Sequence, residues 1–284
     1  MWTDNLFPDR ITEGRSEPRL ATARKWGLAV KDIGEGLKAH HIWVITGWQD
    51  IRMRYKRSTI GPFWITLSLG ITVAAMGALY ARLFHEEVAD YIPYLSIGMI
   101  VWALISTLVM EGCTVFIQAE GIIKQIRLPF SMHVLRMIWR NLIIFFHNSA
   151  VLVFVYLWFS IAWRWQVILV PLGLLVIALN AMWLGLILGT LSARFRDIPQ
   201  IVTSLMQVLF FVTPVMWRVK VLKNHMWIAK WNPAYNLMKL VMRPLQGRLP
   251  SEYSLIFVAV MTVLGWGVAL AFFSRFRARI AYWI

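Results

Sequence analysis

Residues 167–191 read VILVPLGLLVIALNAMWLGLILGTL, a run of 25 positions without one charged side chain. At a helical rise of about 1.5 Å per residue, about 20 apolar residues cross the ~30 Å hydrocarbon core of a bilayer. Inside lipid a backbone must satisfy its own hydrogen bonds, and an α-helix does so within a single segment. The stretch therefore predicts a membrane-spanning helix.

Five further stretches of similar length make the chain an all-α polytopic membrane protein. The six predicted spans cover residues 63–81, 92–110, 141–161, 167–191, 200–217 and 253–274. The composition agrees, because 59% of the residues are hydrophobic. A soluble domain with one buried core is not expected to reach that fraction.

The net charge of +15 is explained by the membrane rather than by a nucleic-acid partner. Lys and Arg accumulate on the cytoplasmic flanks of membrane spans. With the N-terminus inside, 20 of the 29 Lys and Arg residues fall on the cytoplasmic side, and seven of the other nine lie in the external segment 218–251. We therefore predict that both termini are cytoplasmic.

Two segments before the first predicted span carry apolar residues at helical spacing. These are Trp26, Val30, Ile33 and Leu37, and then Val44, Trp48, Ile51 and Tyr55. An apolar stripe with basic flanks and a Trp is typical of a helix that lies in the membrane interface. The predicted organisation is a mobile cytoplasmic tail (1–23), amphipathic interface and gate helices (24–62), a six-span transmembrane domain (63–274) and a basic cytoplasmic C-terminus (275–284).

Two connecting segments are also predicted to be helical. Residues 118–127 place Glu120, Lys124 and Arg127 around an apolar face, a pattern that fits either a docking surface for a partner or a solvated loop helix. In the external segment, Asn232 followed by Pro233 is typical of a helix start, and Arg243 before a proline of a helix stop. We expect this external segment, between spans five and six, to fold back onto the outer leaflet.

The six predicted spans contain no Asp, Glu, Lys or Arg. Carriers driven by an ion gradient normally place ionisable groups inside the membrane, so the sequence argues against a proton- or sodium-driven carrier. The chain also contains no Gly-Lys dipeptide and hence no P-loop. Its six scattered His residues form no ligand pair for a metal. If transport is powered, the energy must come from a separate subunit.

Several motifs resemble those of one family when they are taken in order. RYKRS at 54–58 and IGPFW at 60–64 precede and enter the first span, FRDI at 195–198 connects spans four and five, and TP follows at 213–214. WNP at 231–233 and RPL at 243–245 mark the external segment. From about residue 43 to the C-terminus, the chain resembles the permease subunits of ABC exporters of bacterial surface polysaccharides. It looks most like the O-antigen permeases, with the teichoic-acid and capsule permeases as close relatives.

This resemblance implies a homodimer in the bacterial inner membrane, with two copies of a cytoplasmic subunit that binds ATP and magnesium. The expected cargo is a lipid-linked, O-antigen-like polysaccharide, pushed outward between the two copies. The implied sites are a cytoplasmic gate at Arg52, Arg54, Tyr55 and Arg57, an ATPase-coupling helix at Glu120, Lys124 and Arg127, and an external gate at Trp231, Asn232, Pro233 and Arg243. No catalytic residue, metal or cofactor is expected on the chain itself.

Aromatic side chains are candidates for the lining of the glycan path, because aromatic faces suit the apolar surfaces of sugar rings. The candidates are Trp64, Tyr80, Phe210, Phe211 and Trp217. Packing, or a belt at the membrane boundary, explains the same residues. The functional alternatives are an ABC exporter of teichoic acid, capsule, lipid or drug and, more distantly, an intramembrane enzyme that acts on lipid-linked sugars. Such an enzyme requires buried carboxylates or a His/Asp pair, which the predicted spans lack.

Overall fold

The structure is a computed structural model that describes residues 17–56, 61 and 63–284. The described residues are all-helical, as predicted, and contain no strand. Their helices are α1 (Glu17–Lys38), α2 (His40–Tyr55), α3 (Phe63–Leu83), α4 (Val88–Gln118), α5 (Glu120–Gln125), α6 (Phe130–Trp158), α7 (Val170–Arg194), α8 (Ile198–Val212), α9 (Trp227–Trp231), α10 (Pro233–Leu245), α11 (Glu252–Phe276) and α12 (Ile280–Trp283). Short 3-10 turns lead into α7, α9 and α12.

Five helical segments in the described ranges are long and apolar enough to cross a bilayer. They are Phe63–Leu83, Val88–Gln125, Phe130–Trp158, Trp165–Arg194 and Glu252–Trp283. Each is at least as long as the roughly 20 residues that a bilayer core requires. The prediction of a multi-pass helical membrane protein is therefore confirmed.

The predicted span 200–217 is not a continuous helix of that length. α8 ends at Val212 after 15 residues, which is about 22 Å at 1.5 Å per residue. Thr213 is extended, with φ −87° and ψ 134°, because a residue that precedes proline is disfavoured in the helical region. The structure does not confirm the count of six spans.

Beyond α8, residues 213–217 form turns and bends that are anchored to the first turns of α4. The hydroxyl of Tyr91 donates a hydrogen bond to the carbonyl oxygen of Met216 at 2.5 Å, and that of Tyr94 donates to the carbonyl oxygen of Trp217 at 2.8 Å. A Cβ added at Gly98 would lie only 2.8 Å from the carbonyl oxygen of Val215. Close backbone approach and two tyrosine hydroxyls thus fix this segment against α4.

α4 lies at the centre of the bundle and packs against α3, α6, α7, α8 and α10. At its crossing with α7, a Cβ on Gly112 would lie 3.3 Å from Cα of Gly185. One turn further along α7, a Cβ on Gly189 would lie 2.7 Å from Cγ1 of Val115. Small residues allow helices to approach closely in apolar surroundings, so these glycines set the distance between α4 and α7.

The long helices run up and down between the two ends of the bundle. The end with α1, α2, α5 and the C-terminus is called the basal end, and the end with the segment 213–251 is called the apical end. α9 and α10 form a short hairpin at the apical end, where α10 packs against α4, α7 and α11. α10 starts at the predicted position, but it continues through Pro244 to Leu245.

α1 and α2 lie along α6 at the basal end. α1 begins at Glu17, before the predicted start at residue 24, whereas residues 1–16 of the predicted tail lie outside the described residues. Its buried face contains Ala29 and Asp32. Of the predicted apolar stripe, Trp26, Val30 and Leu37 are 38%, 55% and 54% exposed, whereas Ile33 packs against the core.

Candidate functional site

A network of charged side chains joins α2, α4 and α6 at the basal end. Both carboxylate oxygens of Asp50 on α2 accept hydrogen bonds from Arg136 on α6, one of them from Nε at 2.8 Å. One turn further along α6, Arg140 donates to Asp50 at 3.1 Å and to Glu111 on α4 at 2.8 Å. Asn141 adds a hydrogen bond of 2.6 Å to the same oxygen of Glu111. Two carboxylates and two guanidinium groups therefore hold three helices together.

This basal charge network is largely shielded from solvent. The side chains of Asp50 and Arg140 are 11% and 12% exposed. Removing one partner from a buried ion pair costs about 3–5 kcal/mol, because the other charge is left unpaired. The network therefore fixes the position of α2 relative to the bundle.

A polar cavity of about 230 Å³ opens beside the basal charge network. Its wall includes Asp50, Glu111, His133 and, where α5 begins, Ala119 and Ile122. His133 is 3% exposed, and neither of its ring nitrogens has a hydrogen-bond partner among the described residues. Charges from α2, α4 and α6 thus face a single polar space that borders α5.

The sequence analysis missed the network because it ended the predicted spans where the charged residues begin. α4 continues to Gln118, past the predicted end at 110, and α6 already begins at Phe130, before the predicted start at 141. The two helices therefore extend beyond the predicted spans, and Glu111, Arg136 and Arg140 lie in the added turns. The i, i+4 spacing of the two arginines, which places them on one helix face, was an available signal.

A second buried carboxylate, Asp32 on α1, holds the start of α6 and the C-terminal region. Its oxygens accept hydrogen bonds from the backbone N–H groups of Phe130 at 3.2 Å and Ser131 at 3.0 Å. Nε of Arg277 donates to the same carboxylate at 2.7 Å, and the side chain of Asp32 is fully buried. The first N–H groups of a helix lack partners within the helix and carry partial positive charge. Asp32 therefore caps α6 from another helix.

Two of the predicted cytoplasmic gate residues, Arg52 and Arg54, lie in the last turn of α2, beside the basal charge network. Nη2 of Arg54 is 3.6 Å from Oε1 of Glu111, which makes Arg54 an outer member of the network. Arg52 is exposed, while the side chain of Tyr55 and the whole of Arg57 lie outside the described residues. Their role as a gate stays a prediction.

The predicted coupling segment 118–127 contains a helix of six residues, α5. Glu120 and Lys124 form an i, i+4 ion pair with a distance of 2.6 Å, and about half of each side chain is exposed. Arg127 is exposed beyond the end of the helix. The surface of α5 at the basal end is therefore charged and accessible, and its docking role stays a prediction.

The predicted channel aromatics on α3 lie far apart along that helix. Trp64, near the basal start of α3, is 56% exposed. Tyr80, near its apical end, stacks on Phe84 with ring centroids 5.9 Å apart. Trp64 is therefore available to a partner or a substrate, whereas Tyr80 packs within the protein.

The candidates on and after α8 also differ from one another. Phe210 packs against Trp102 of α4, with ring centroids 5.5 Å apart, whereas Phe211 is 65% exposed. Nε1 of Trp217 donates to the carbonyl oxygen of Phe211 at 3.0 Å. α3 packs mainly on α4 and α6, and α8 on α4 and α7, so one chain does not gather these aromatics into a single site.

The predicted external gate forms the start of the α9–α10 hairpin. Asn232 is 5% exposed, and its Oδ1 accepts from the backbone N–H of Tyr235 at 3.0 Å. Its Nδ2 donates to the hydroxyl of Thr213, just beyond α8, at 2.9 Å. Pro233 occupies the first helical position, where a backbone N–H would have no hydrogen-bond partner within the helix. Asn232 therefore caps α10 and ties it to the end of α8, while Trp231 is 69% exposed.

Cations cluster on α10, including the predicted gate residue Arg243. Nζ of Lys239 lies 4.3 Å from the ring centroid of Tyr235. Burial, together with the charges of Arg243 and Lys230, lowers the pKa of Lys239 to about 8. The electrostatic potential around this helix is therefore positive.

Sequence comparison places these features in a known family. The profile of the ABC-2 type transporter family matches residues 41–245, a range that contains the basal charge network, α5 and the apical hairpin. The chain belongs to the ABC-2 type transporter family. The resemblance inferred from the motifs is thereby confirmed.

The curated relatives of this ABC-2 transporter chain include permeases. The O-antigen export system permease protein RfbA of Myxococcus xanthus is 23% identical over 232 residues, which cover 80% of this chain and 89% of the relative. Two proteins of the same name from Klebsiella pneumoniae are 25% and 24% identical over 248 residues, which cover 84% of this chain and 92% of each relative.

Proposed function

We propose that this chain is the membrane permease of an ATP-driven exporter, which moves a lipid-linked, O-antigen-like polysaccharide out of the cytoplasm. The observation that carries the proposal is the extent of the similarity. O-antigen export permeases align with 80–84% of this chain and with 89–92% of their own length. The alignment thus takes in almost the whole of each relative rather than one shared segment.

The exporter is a homodimer of this chain with two copies of a cytoplasmic subunit that binds ATP and magnesium. The basal end faces the cytoplasm, which agrees with the concentration of Lys and Arg in the segments assigned to that side. α8 together with residues 213–217 makes a sixth crossing, since this segment runs from the basal end to the first turns of α4. The location is the bacterial inner membrane.

The glycan path lies between the two copies rather than inside one chain. Within one chain α4 occupies the centre of the bundle and packs against α3, α6, α7, α8 and α10. α3 and α8 have outward apolar faces that include Trp64 and Phe211. In a two-copy arrangement these faces line the path with aromatic side chains. A hydrated glycan needs such a path because it cannot cross the hydrocarbon of the bilayer.

The hydrogen bonds described above suggest how ATP-driven movement at the basal end reaches the gates. α5 follows α4 directly, with only Ala119 between them, so force on α5 acts on the part of α4 that carries Glu111. Glu111 and Arg140 pass the displacement to Asp50 and hence to α2. At the apical end, Asn232 links α8 to the hairpin.

Reconstitution tests this function directly. Vesicles that contain the chain and its ATP-binding subunit should take up lipid-linked polysaccharide when ATP and magnesium are supplied. The purified chain alone should neither hydrolyse ATP nor move the polysaccharide under an ion gradient. Transport by the chain as the sole protein would contradict the proposal, and a pull-down from native membranes that recovers no ATP-binding subunit would count against the complex.

A further inference from the structure

The apical end contains a second polar cavity, with a volume of about 450 Å³. It lies between the start of α4, the end of α6 and α10, and its wall includes the rings of Tyr94 and Tyr156. Sites for small molecules commonly have volumes of about 300–1,000 Å³. The cavity is therefore large enough for a headgroup-sized ligand.

The charge of this apical cavity is unbalanced. Its wall contains four cations, Arg218, Lys220, Arg243 and Arg248, and one carboxylate, Asp90. Among these cations only Arg218 is paired with a described carboxylate: its Nε lies 2.9 Å from Oε2 of Glu86. No described Asp or Glu forms an ion pair with the other three cations. The cavity therefore offers positive charge to an anion from outside the chain.

Neighbouring residues strengthen the positive potential. Lys239 lies one turn before Arg243 on α10, and its lowered pKa reflects burial and the repulsion from Arg243 and Lys230. A bound anion would offset that repulsion. Arg164 adds a further cation in an adjoining cavity of about 220 Å³, which shares Arg248 as a lining residue.

The position of the cavity indicates a lipid rather than a soluble ligand. Tyr156 in its wall stacks on Trp163, with ring centroids 4.5 Å apart. Trp163 and Trp158 are 49% and 72% exposed at the apical end of α6. Exposed Trp residues at the ends of spans mark the level of the lipid headgroups, so the cavity lies where phosphate groups of lipids are found.

We propose that the apical cavity binds the phosphate group of a lipid headgroup. Guanidinium groups hold phosphate oxygens through paired, charge-assisted hydrogen bonds, and Arg243 and Arg248 are the two arginines of the cavity wall that pair with no described carboxylate. The phosphate belongs either to a bilayer phospholipid or to the prenyl carrier of an exported glycan. The site goes beyond the proposed export function, and its test requires neither ATP nor transport.

Native mass spectrometry of the full chain in mild detergent measures this binding. The chain is titrated with phosphatidylglycerol, with a long-chain prenyl phosphate and with diacylglycerol, which lacks the phosphate. Both phosphate lipids should bind more tightly than diacylglycerol. The double variant Arg243→Gln/Arg248→Gln should bind them at least about tenfold more weakly, because charge-assisted contacts are lost. Whichever of the two phosphate lipids binds wild type more tightly identifies the source of the phosphate.

Arg82→Gln is a matched control. Arg82 is an exposed cation at the same end of the bundle, and it does not line the cavity. This variant should bind like wild type. Arg243→Lys/Arg248→Lys keeps the charge and should bind between wild type and the glutamine variant, with unfolding temperatures recorded for all variants. Wild-type affinity in the glutamine variant, or equal affinity for diacylglycerol and phosphatidylglycerol, would overturn the proposal. A lysine variant no better than the glutamine variant would also overturn it.

Discussion

Arg140 on α6 donates a hydrogen bond of 2.8 Å to Glu111 on α4. Since the same guanidinium also reaches Asp50 on α2 at 3.1 Å, the pair connects a helix at the centre of the bundle to a helix at its edge. In the proposed exporter, α2 and α5 are the elements that ATP hydrolysis must move. The Glu111–Arg140 contact is therefore both a stabilising interaction and a route for movement.

A double-mutant cycle tests this contact. Glu111→Gln and Arg140→Gln should each destabilise the protein by about 1.5–3 kcal/mol, because each removes a charge-assisted hydrogen bond from a network that is largely shielded from solvent. The stability lost in the double variant should be smaller than the sum of the losses in the two single variants, with a coupling energy of about 0.5–3 kcal/mol. Thermal unfolding in detergent gives the values. The exposed pair Lys31 and Glu35, 3.6 Å apart, is the matched control and should show coupling of at most about 1 kcal/mol; similar coupling in both cycles would contradict the special role of the buried pair.

Charge reversal on α5 tests the proposed docking surface. Glu120→Lys, Lys124→Glu and Arg127→Glu should uncouple ATP hydrolysis from export, because each changes the charge presented to the ATP-binding subunit. Membrane insertion should be unchanged, since the side chains of Glu120 and Lys124 are about half exposed and Arg127 is exposed. The paired swap Glu120→Lys/Lys124→Glu restores the ion pair within α5 and should still export poorly. Normal export in all three single variants would exclude docking at α5.

Enlarging an exposed aromatic tests the proposed lining of the glycan path. Phe211→Trp should leave more glycan inside the cell and less on its surface, because Phe211 is 65% exposed on α8 and the larger ring narrows a path between two copies. Phe154→Trp is the matched control, since Phe154 is 63% exposed on α6 and is not a channel candidate. Wild-type surface glycan in the Phe211 variant would remove this residue from the path.

Adding one methyl group at Gly173 should push α10 away from α7. A Cβ at Gly173 would lie 2.5 Å from the carbonyl oxygen of Leu240, a backbone atom that cannot rotate away. Gly173→Ala should therefore lower stability by about 1–3 kcal/mol. Gly267→Ala, where an added Cβ meets nothing within 4 Å, should instead raise stability by up to about 1 kcal/mol. Thermal unfolding distinguishes the two, and a neutral Gly173 variant would argue against the close approach.

The apolar runs were enough to predict the long helices, because the thickness of a bilayer sets the length of a span and the α-helix satisfies its backbone hydrogen bonds. They were not enough for α8. Its sequence stays apolar through Trp217, whereas Thr213 before Pro214 changes the backbone from helical to extended. Hydropathy does not detect this end of the helix, although the Thr-Pro dipeptide in the sequence indicates it.

The sites were harder to predict than the fold, because their geometry depends on contacts between distant segments. Asp50 and Arg136 are 86 positions apart, and Asp32 and Arg277 are 245 apart. Sequence patterns placed α5 and the α9–α10 hairpin along the chain. They gave no sign of the basal charge network or of the apical cavity, whose members come from three or more segments.

Asp32 joins α1, the first turn of α6 and Arg277 in one buried contact. During synthesis, this contact has to wait until residue 277 has emerged from the ribosome. Asp32 can accept its hydrogen bonds from α6 as soon as both helices have formed, but it gains its cation only later. Truncation just before Arg277 would leave a buried carboxylate without its cation and would thereby weaken the docking of α1 on α6.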